Sequence, residues 1–421
     1  MLRKLFYTQL IGFAFIATTA AAAAPAKMAG ATAAVPTDTA AATKTTAAAG
    51  AVAAKTADAA GMIPADTTKT TATTAAVAAP ADTSKLTAVA PPAPALSITG
   101  SADLYYRYDF AKQASNDFTS FTHSTNSFEL GMAEVKVEHK TDKLDMVADL
   151  GFGRRATEFA YNDQGILAAI QQLYISYSPY SWVKFTAGTW ATHVGYEVED
   201  AYANRNYSMS YMFTYGPFSH TGVRADFTSG KSGFMIGVSN PTDYRYVPEG
   251  VINKKFLIAQ YSYAPSDNFK LYLNYVGGEN VDTSKSNQFD VVINAKAGSK
   301  VTLGYNGTIK LVKEYAGKGD YSSTQNWWGS AVYVSYDPTA HFGLSLREEY
   351  HSDQDQLTVY SGFGQGGSVV GSTLSASFKK DGFTLIPEIR VDQASQGIFK
   401  NTSGAPTKTD GSFLIAAIYS F

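Results

Sequence analysis

The chain has 421 residues, no cysteine, 55 aromatic side chains, and a formal net charge of −2 from 34 basic and 36 acidic residues. The absence of cysteine excludes a disulfide scaffold and a thiolate metal site, and the balanced charge excludes a dedicated nucleic-acid-binding protein. Charged residues make up only 17% of the chain, against about 25% in soluble domains, so we expect much of the surface to face something other than water.

Residues 1–24 have the pattern of a secretory signal peptide. A basic start at Arg3 and Lys4 is followed by an apolar run over 5–17 and by small residues up to Ala24. The apolar run is shorter than the roughly 20 residues that a membrane-spanning helix needs, so an uncleaved anchor is the weaker alternative. No later apolar run reaches that length, and we therefore expect the mature protein to be either soluble outside the cytoplasm or a membrane β-barrel.

Residues 25–96 are predicted to form a disordered linker. The segment is built mainly from Ala and Thr, contains no aromatic side chain, and is interrupted repeatedly by proline. Such a composition cannot bury a hydrophobic core. A passive tether and a contact with the cell wall both remain open as its role.

From residue 97 onward, short segments alternate between apolar and polar side chains. Between Phe269 and Tyr275, for example, Phe and Leu alternate with Lys270, Tyr272 and Asn274. A period of two is typical of a β-strand. Sixteen such segments begin near Ser97, Phe128, Leu144, Ala169, Val183, His220, Phe234, Phe256, Phe269, Phe289, Val301, Trp327, His341, Gly371, Phe383 and Gly411.

The connections between these segments alternate between seven short polar turns and eight long loops. This alternation predicts an all-β fold over 97–421: a closed, antiparallel, up-and-down transmembrane β-barrel of about 16 strands. A soluble β-sandwich is the alternative. A sandwich buries the apolar faces of two sheets against each other, and sixteen similar hairpin strands with one polar face each give no place for such a core. Pro387 lies inside an otherwise regular strand, where we expect a β-bulge. Aromatic girdles at the two membrane interfaces are expected from Tyr106, Tyr108, Tyr177, Trp182, Tyr261, Tyr263, Trp328, Tyr336 and Tyr419.

Two motifs carry a resemblance to known proteins. The alternating residues from Phe413 to the terminal Phe421 resemble the signal by which the barrel assembly machinery recognises outer-membrane proteins of Gram-negative bacteria. A second resemblance, to the OmpL-like β-barrel porin-2 family, lies in the region of the third long loop. It is carried by the motifs Gly195-Tyr-Glu197, Asn204-Arg-Asn206-Tyr-Ser208-Met-Ser210 and His220-Thr-Gly222, with Phe213 and Pro217. The resemblance covers roughly 97–421 and implies a porin-like protein of the bacterial outer membrane, in contact with its lipid; porins of this size are usually homotrimers.

A barrel of sixteen strands is wide enough to leave an aqueous channel. The longest loop, 193–219, is predicted to fold inward and narrow the lumen, with its acidic residues opposing Arg107, Arg224, Arg347 or Arg390. The alternative is a loop that packs on itself or on a neighbouring subunit. The predicted pore constriction consists of Tyr196, Glu197, Glu199, Asp200, Asn204, Arg205, Asn206 and Tyr211.

The lumen is predicted to be lined by charged pairs of opposite sign. Arg107 is expected to pair with Asp103 and Asp109, Arg224 with Asp226, Arg347 with Glu349, and Glu388 with Arg390. Beyond residue 96 the chain carries 27 basic and 32 acidic residues, a net charge of −5. This excess favours a slight preference for cations.

Catalytic signatures are absent from the sequence. The six histidines form no His-Glu-x-x-His pair and no metal-ligand spacing, and there is no Gly-x-Ser-x-Gly motif. The Gly-x-Gly-x-x-Gly match at 362–367 is followed by a strand rather than a helix, which excludes a dinucleotide site. No enzyme activity, metal or cofactor is therefore expected. The sequence predicts a passive diffusion channel for ions and small hydrophilic solutes; an adhesion or binding barrel acting through its outer loops is the main alternative, and an outer-membrane hydrolase is a third.

Overall fold

The computed structural model describes residues 95–250 and 253–421. The predicted signal peptide and residues 25–94 of the predicted linker lie outside the described residues, so both remain predictions. The predicted linker end at residue 96 is wrong by two residues, because Ala95 and Leu96 already belong to the first strand. Within the described ranges, no helix is both long enough and apolar enough to cross a membrane.

Sixteen antiparallel strands form one closed barrel, which confirms the predicted architecture and strand number. Each strand pairs with its neighbours in sequence, and the last strand pairs with the first. The strands are β1 (Ala95–Asp109), β2 (Ser127–Lys140), β3 (Leu144–Phe152), β4 (Ile170–Tyr180), β5 (Val183–Ala191), β6 (Ser219–Ser229), β7 (Ser232–Ser239), β8 (Phe256–Ser266), β9 (Phe269–Glu279), β10 (Lys285–Ala297), β11 (Val301–Lys313), β12 (Gln325–Thr339), β13 (Phe342–Asp353), β14 (Gly367–Lys380), β15 (Phe383–Ala394) and β16 (Thr409–Ser420).

The loops on the long-loop rim contain several short elements. Helix α1 spans Arg154–Ala160 and helix α2 spans Tyr211–Thr214. Three 3₁₀ turns lie at Ala114–Asn116, Gly165–Ala169 and Ala201–Ala203, and small two-stranded ladders join Tyr315–Gly317 to Asp320–Tyr321 and Phe399–Lys400 to Pro406–Thr407.

The strands place apolar side chains outward and many polar side chains inward. In β13, Leu344 and Leu346 face outward and are 39% and 38% exposed, whereas the alternate residues Arg347 and Glu349 are buried inside. This is the reverse of a soluble protein and fits a barrel whose outer face meets lipid, because lipid solvates apolar side chains without a protein core. Seven of the nine predicted girdle aromatics are exposed large side chains: Tyr177, Trp182, Tyr261, Tyr263, Trp328, Tyr336 and Tyr419.

The ladder is irregular at a position different from the one expected. At Pro387 the expected bulge is wrong: Ser375 pairs with Glu388 and Phe378 with Leu385 in one unshifted register. Proline removes one backbone donor, so the β14–β15 ladder loses pairs locally but keeps its register, and Pro387 still pairs with Ile415 on the other side. Register shifts occur instead at five other strand pairs, one of them between β1 and β2 beside Asp103.

Beside the β1–β2 shift, the Asp103 side chain packs so closely on residue 131 that only glycine fits there. A Cβ atom at position 131 would overlap the Asp103 carboxylate, which also accepts a hydrogen bond from the Met132 amide (3.1 Å). We expect Gly131→Ala to lower the free energy of unfolding by about 1–3 kcal/mol through overpacking. Thermal unfolding in detergent measures the change.

Gly397→Ala is the matched control, because the nearest atom to its added Cβ, Pro406 Cβ, lies 3.3 Å away in an outer loop. Equal unfolding temperatures for the two variants would contradict the packing assignment.

Candidate functional site

The third long loop, residues 192–218 between β5 and β6, contacts inward-facing side chains of the barrel. This segment, 192–218, is the third loop. Its closest partners are buried charged residues on β13 and β15 and a carboxylate on β1. The loop therefore lies inside the barrel at the level of these residues.

Two inward-facing carboxylates bind the backbone of the third loop. The amides of Tyr207 and Ser208 donate to the two oxygens of Glu388 at 2.7 and 3.1 Å, and the amide of Tyr211 donates to Glu349 at 2.8 Å. Hydrogen bonds to a charged acceptor are stronger than neutral ones. These bonds satisfy amides that have no strand partner inside the barrel.

Two arginines bind the carbonyl groups of the same segment. Arg347 Nη1 donates at 2.6 Å to Ser208 O and at 2.6 Å to Glu197 Oε1, and Arg390 Nη1 donates at 2.7 Å to Met209 O. Arg347 is fully buried and Arg390 is 6% exposed. Buried guanidinium groups must be paired to offset their desolvation, so the loop and the wall stabilise each other.

A further anchor connects the third loop to β1 and to α1. The Tyr207 hydroxyl donates a short hydrogen bond to Asp103, and Arg155 Nη1 donates to the Glu199 carbonyl at 3.0 Å. The Arg155 guanidinium lies 4.8 Å from the centre of the Tyr207 ring, within cation–π range. Arg155 was missed from the sequence because a single arginine in a long loop carries no periodic signal.

The other predicted constriction residues also belong to this packed loop. Arg205 forms a bidentate ion pair with Asp337 (2.8 and 2.7 Å), and the Tyr196 ring stacks on Tyr333 with centroids 4.0 Å apart. Asn206 donates to Ser375 Oγ at 2.7 Å, whereas Asn204 bonds to Val198 within the loop. Of the eight residues, Glu197, Arg205 and Asn206 thus reach the wall through their polar side-chain atoms, and Tyr211 is buried beside Arg390.

The predicted lumen pairs are formed in part. Arg107 lies 3.5 Å from Asp109, Arg224 3.3 Å from Asp226, and Arg347 3.5 Å from Glu349. Two expected pairs are wrong. Asp103 bonds to the Tyr207 hydroxyl instead of Arg107, and Glu388 binds loop amides, which leaves Arg390 to pair with Asp392 (2.7 Å) and Glu349 (3.2 Å). In both cases the third loop provides the competing donor: the Tyr207 hydroxyl for Asp103 and the Tyr207 amide for Glu388.

Glu197, Glu199 and Asp200 were expected to lie opposite wall arginines, and one of these three acids does so. Glu197 contacts Arg347, whereas Glu199 and Asp200 interact electrostatically with the acidic Asp149 on β3. Burial, and then repulsion by Asp149, raises the pKa of Asp200 to about 6. The pKa of Glu199 is raised well above its usual value by burial and by Asp200, Asp149 and Glu134. In the part of the chain that the structure describes, no three acidic or histidine side chains converge as direct ligands of a metal ion.

The raised pKa of Asp200 makes stability depend on pH. Its ordinary pKa is 3.8, so the folded state binds this proton at a higher pH than the unfolded state, and the charged carboxylate is destabilising above about pH 6. We expect Asp200→Asn to unfold at a higher temperature than wild type at pH 8, with a smaller difference at pH 5. Thermal unfolding in detergent at both pH values measures this.

Asp320→Asn is the matched control, since Asp320 lies in an exposed ladder of an outer loop. A difference between Asp200→Asn and wild type that is the same at pH 8 and pH 5 would contradict the assignment.

Solved outer-membrane proteins share this fold. OmpT of Vibrio cholerae in its trimer form is 12% identical, with a TM-score of 0.52 over 78% of this chain and 100% of that chain. An anion-selective porin from Comamonas acidovorans is 8% identical, with a TM-score of 0.54 over 78% and 100%. The channel DcaP of Acinetobacter baumannii is 11% identical, with a TM-score of 0.53 over 78% and 97%. At these identities the similarity concerns the fold.

No curated protein sequence matches the chain. The family model described as "Putative beta-barrel porin-2, OmpL-like" matches residues 95–421, which includes every described strand. Porins are channels rather than enzymes, and they reside in the bacterial outer membrane. With the closed barrel of sixteen strands and the matched range, the chain belongs to the OmpL-like β-barrel porin-2 family of the bacterial outer membrane.

Proposed function

We propose that the protein is a passive diffusion channel for ions and small hydrophilic solutes, in which the third loop narrows the lumen. The observation that carries the proposal is the ion pair between Glu197 of the loop and Arg347 of β13, at 2.6 Å and with both side chains buried. This pair, together with the amide bonds to Glu349 and Glu388, holds the loop across the interior. We propose that solutes pass between the fixed loop and the part of the wall that it does not cover.

The inner wall on β2 and β6, which would border this proposed passage, carries polar side chains. Lys136 and Glu138 on β2 keep 23% and 26% of their side-chain surface exposed, and Arg224 and Asp226 form a pair on β6. Charged, partly exposed side chains on an inner wall favour water and hydrophilic solutes over apolar ones. This wall therefore supports passage of small polar solutes.

Assembly is part of the proposal. We propose that the segment 1–24 directs secretion, that 25–96 is a linker, and that the C-terminal strand ending at Phe421 is recognised by the barrel assembly machinery. A homotrimer is supported by the trimer form of the similar OmpT fold. It is also supported by Glu348, an exposed outward-facing residue next to Leu346 whose carboxylate is bonded to Ser372 (2.6 Å), because a carboxylate facing lipid is unfavourable.

Single-channel recording of the full chain in planar lipid bilayers tests the channel, and stable current steps are expected. The natural chain has no cysteine, so Asp200→Cys provides one reactive thiol on the third loop. We expect a methanethiosulfonate reagent to lower the unitary conductance of this variant by about twofold, because the added group occupies the narrowed passage.

Asp320→Cys, in an outer loop, is the control and is expected to keep its conductance after labelling. Complete labelling of Asp200→Cys with unchanged conductance would contradict narrowing by the third loop. A folded barrel that never conducts would favour the adhesion or binding function instead.

A further inference from the structure

Two lysines lie side by side on the outer wall of the barrel, at the long-loop rim. Lys285 begins β10 and Lys313 ends β11. In both strands the odd-numbered residues face outward, because the alternate side chains, such as Gln288 and Thr308, are buried inside. Both lysines are exposed. This lysine pair, Lys285 and Lys313, therefore faces the surroundings of the barrel rather than its lumen.

The lysine pair places two like charges directly opposite each other. Lys285 and Lys313 are partners in the β10–β11 register, and like charges at opposed positions destabilise a sheet. Glu279 on β9 is the other register partner of Lys285, but its carboxylate binds Lys254 Nζ at 3.0 Å. Among the described residues, no ion pair includes either member of the lysine pair. Its positive charge is therefore not neutralised by the described part of the protein.

An outer hairpin fixes the position of one of the two ammonium groups. The Nζ atom of Lys285 lies 4.2 Å from the centre of the Tyr321 ring, within cation–π range. The Tyr321 ring packs in turn on Tyr315, with centroids 5.5 Å apart. A cation–π contact holds an ammonium group in place without cancelling its charge. Lys285 is thus partly ordered for binding an anion.

The lysine pair lies just above the apolar part of the outer wall. Phe289, two outward positions below Lys285, is 50% exposed, and its ring packs on Tyr275 with centroids 5.2 Å apart. The Tyr275 hydroxyl donates to Asn287 Oδ1 at 2.8 Å, an arrangement typical of an aromatic residue at a membrane interface. Long loops of outer-membrane barrels lie on the extracellular side. The lysine pair is therefore at the level of the headgroups of the outer leaflet.

The rest of the long-loop rim does not carry this charge on its outer wall. At the end of β1 and the start of β2, for example, the outward-facing register partners are Tyr106 and Phe128. In each described strand other than β9, β10 and β11, the last outward-facing residue at this rim is uncharged. Attraction of anionic groups is thus confined to one sector of the wall.

We infer that Lys285 and Lys313 form a binding site for the phosphate of a phosphorylated lipid headgroup in the outer leaflet. A phosphate between the two ammonium groups replaces their repulsion with attraction, and basic residues beside a membrane bind anionic headgroups. The acyl chains of the same lipid would lie on exposed apolar side chains below, such as Phe289 and Leu273. This continuity favours a lipid over a free anion. The inference concerns the outer wall and does not depend on conduction.

Thermal unfolding and binding measurements on the full chain in detergent, with diphosphorylated lipid A as the probe, test the inference. Lys313→Gln leaves the contact between Lys285 and Tyr321 in place. Without lipid A, this variant is expected to unfold at or above the wild-type temperature, because it removes a like-charge repulsion. With lipid A, the wild type is expected to unfold at the higher temperature. The Kd for lipid A is expected to rise about fivefold in the variant, since one lysine near an anionic lipid contributes roughly that factor.

Two further variants separate charge from folding. Lys313→Arg keeps the charge and is expected to retain the wild-type Kd. Lys231→Gln removes an exposed lysine from the short turn between β6 and β7, at the opposite rim, and is expected to match wild type with and without lipid A.

Three results would overturn the lipid site. The first is a Lys313→Gln variant that binds lipid A as tightly as wild type. The second is binding of inorganic phosphate with the same Kd as lipid A, which would indicate a site for a free anion. The third is a Lys313→Gln variant that loses its oligomeric state in detergent but binds lipid A normally, which would assign the lysine pair to a contact between subunits.

Discussion

The backbone of the third loop must find hydrogen-bond partners inside a barrel where no strand is free to provide them. Glu349 and Glu388 accept its amide groups, and Arg347 and Arg390 donate to its carbonyl groups. Because the two acids and two bases alternate on β13 and β15, one segment of loop satisfies all four buried charges. Removal of one member would leave its partner charged and buried, which typically costs 3–5 kcal/mol, at about the scale of the stability of a whole domain.

This arrangement divides the inner wall into two regions with different roles. On β13 and β15 the charged residues are buried against the third loop and bond to its backbone. On β2, by contrast, the charged side chains of Lys136 and Glu138 remain partly exposed. In the channel that we propose, the partly exposed charges would therefore influence ions more than the buried, fully paired ones.

The barrel could be predicted from sequence because its period-two pattern is local. The alternation of polar Lys270 and apolar Leu271 is visible from adjacent residues alone. The alternation of long loops and short turns then indicates that successive strands run in opposite directions. The pairing inside could not be predicted, since Tyr207 and Asp103 are separated by more than a hundred residues and meet only after the loop folds inward. Glu388 was assigned to Arg390, two residues away on the same face, because the competing loop amides leave no pattern in the sequence. The β-bulge expected at Pro387 is wrong for a similar reason. The sequence shows that proline lacks a backbone donor, but it does not show that the flanking pairs can keep their register.

The seam between the first and last strands sets the order of events in biogenesis. Tyr105 pairs with Ala416, and the Phe421 amide donates to the Gly100 carbonyl at 3.0 Å, so the ring of hydrogen bonds closes through residues more than 300 positions apart. Until the last dozen residues are available, β1 and β15 both present open edges, and open edges of an apolar sheet pair readily with other chains. The sheet cannot close before β16 is in place. The edges of β1 and β15 must instead stay free of other chains until β16 pairs with both, so β16 decides whether the sheet closes on itself.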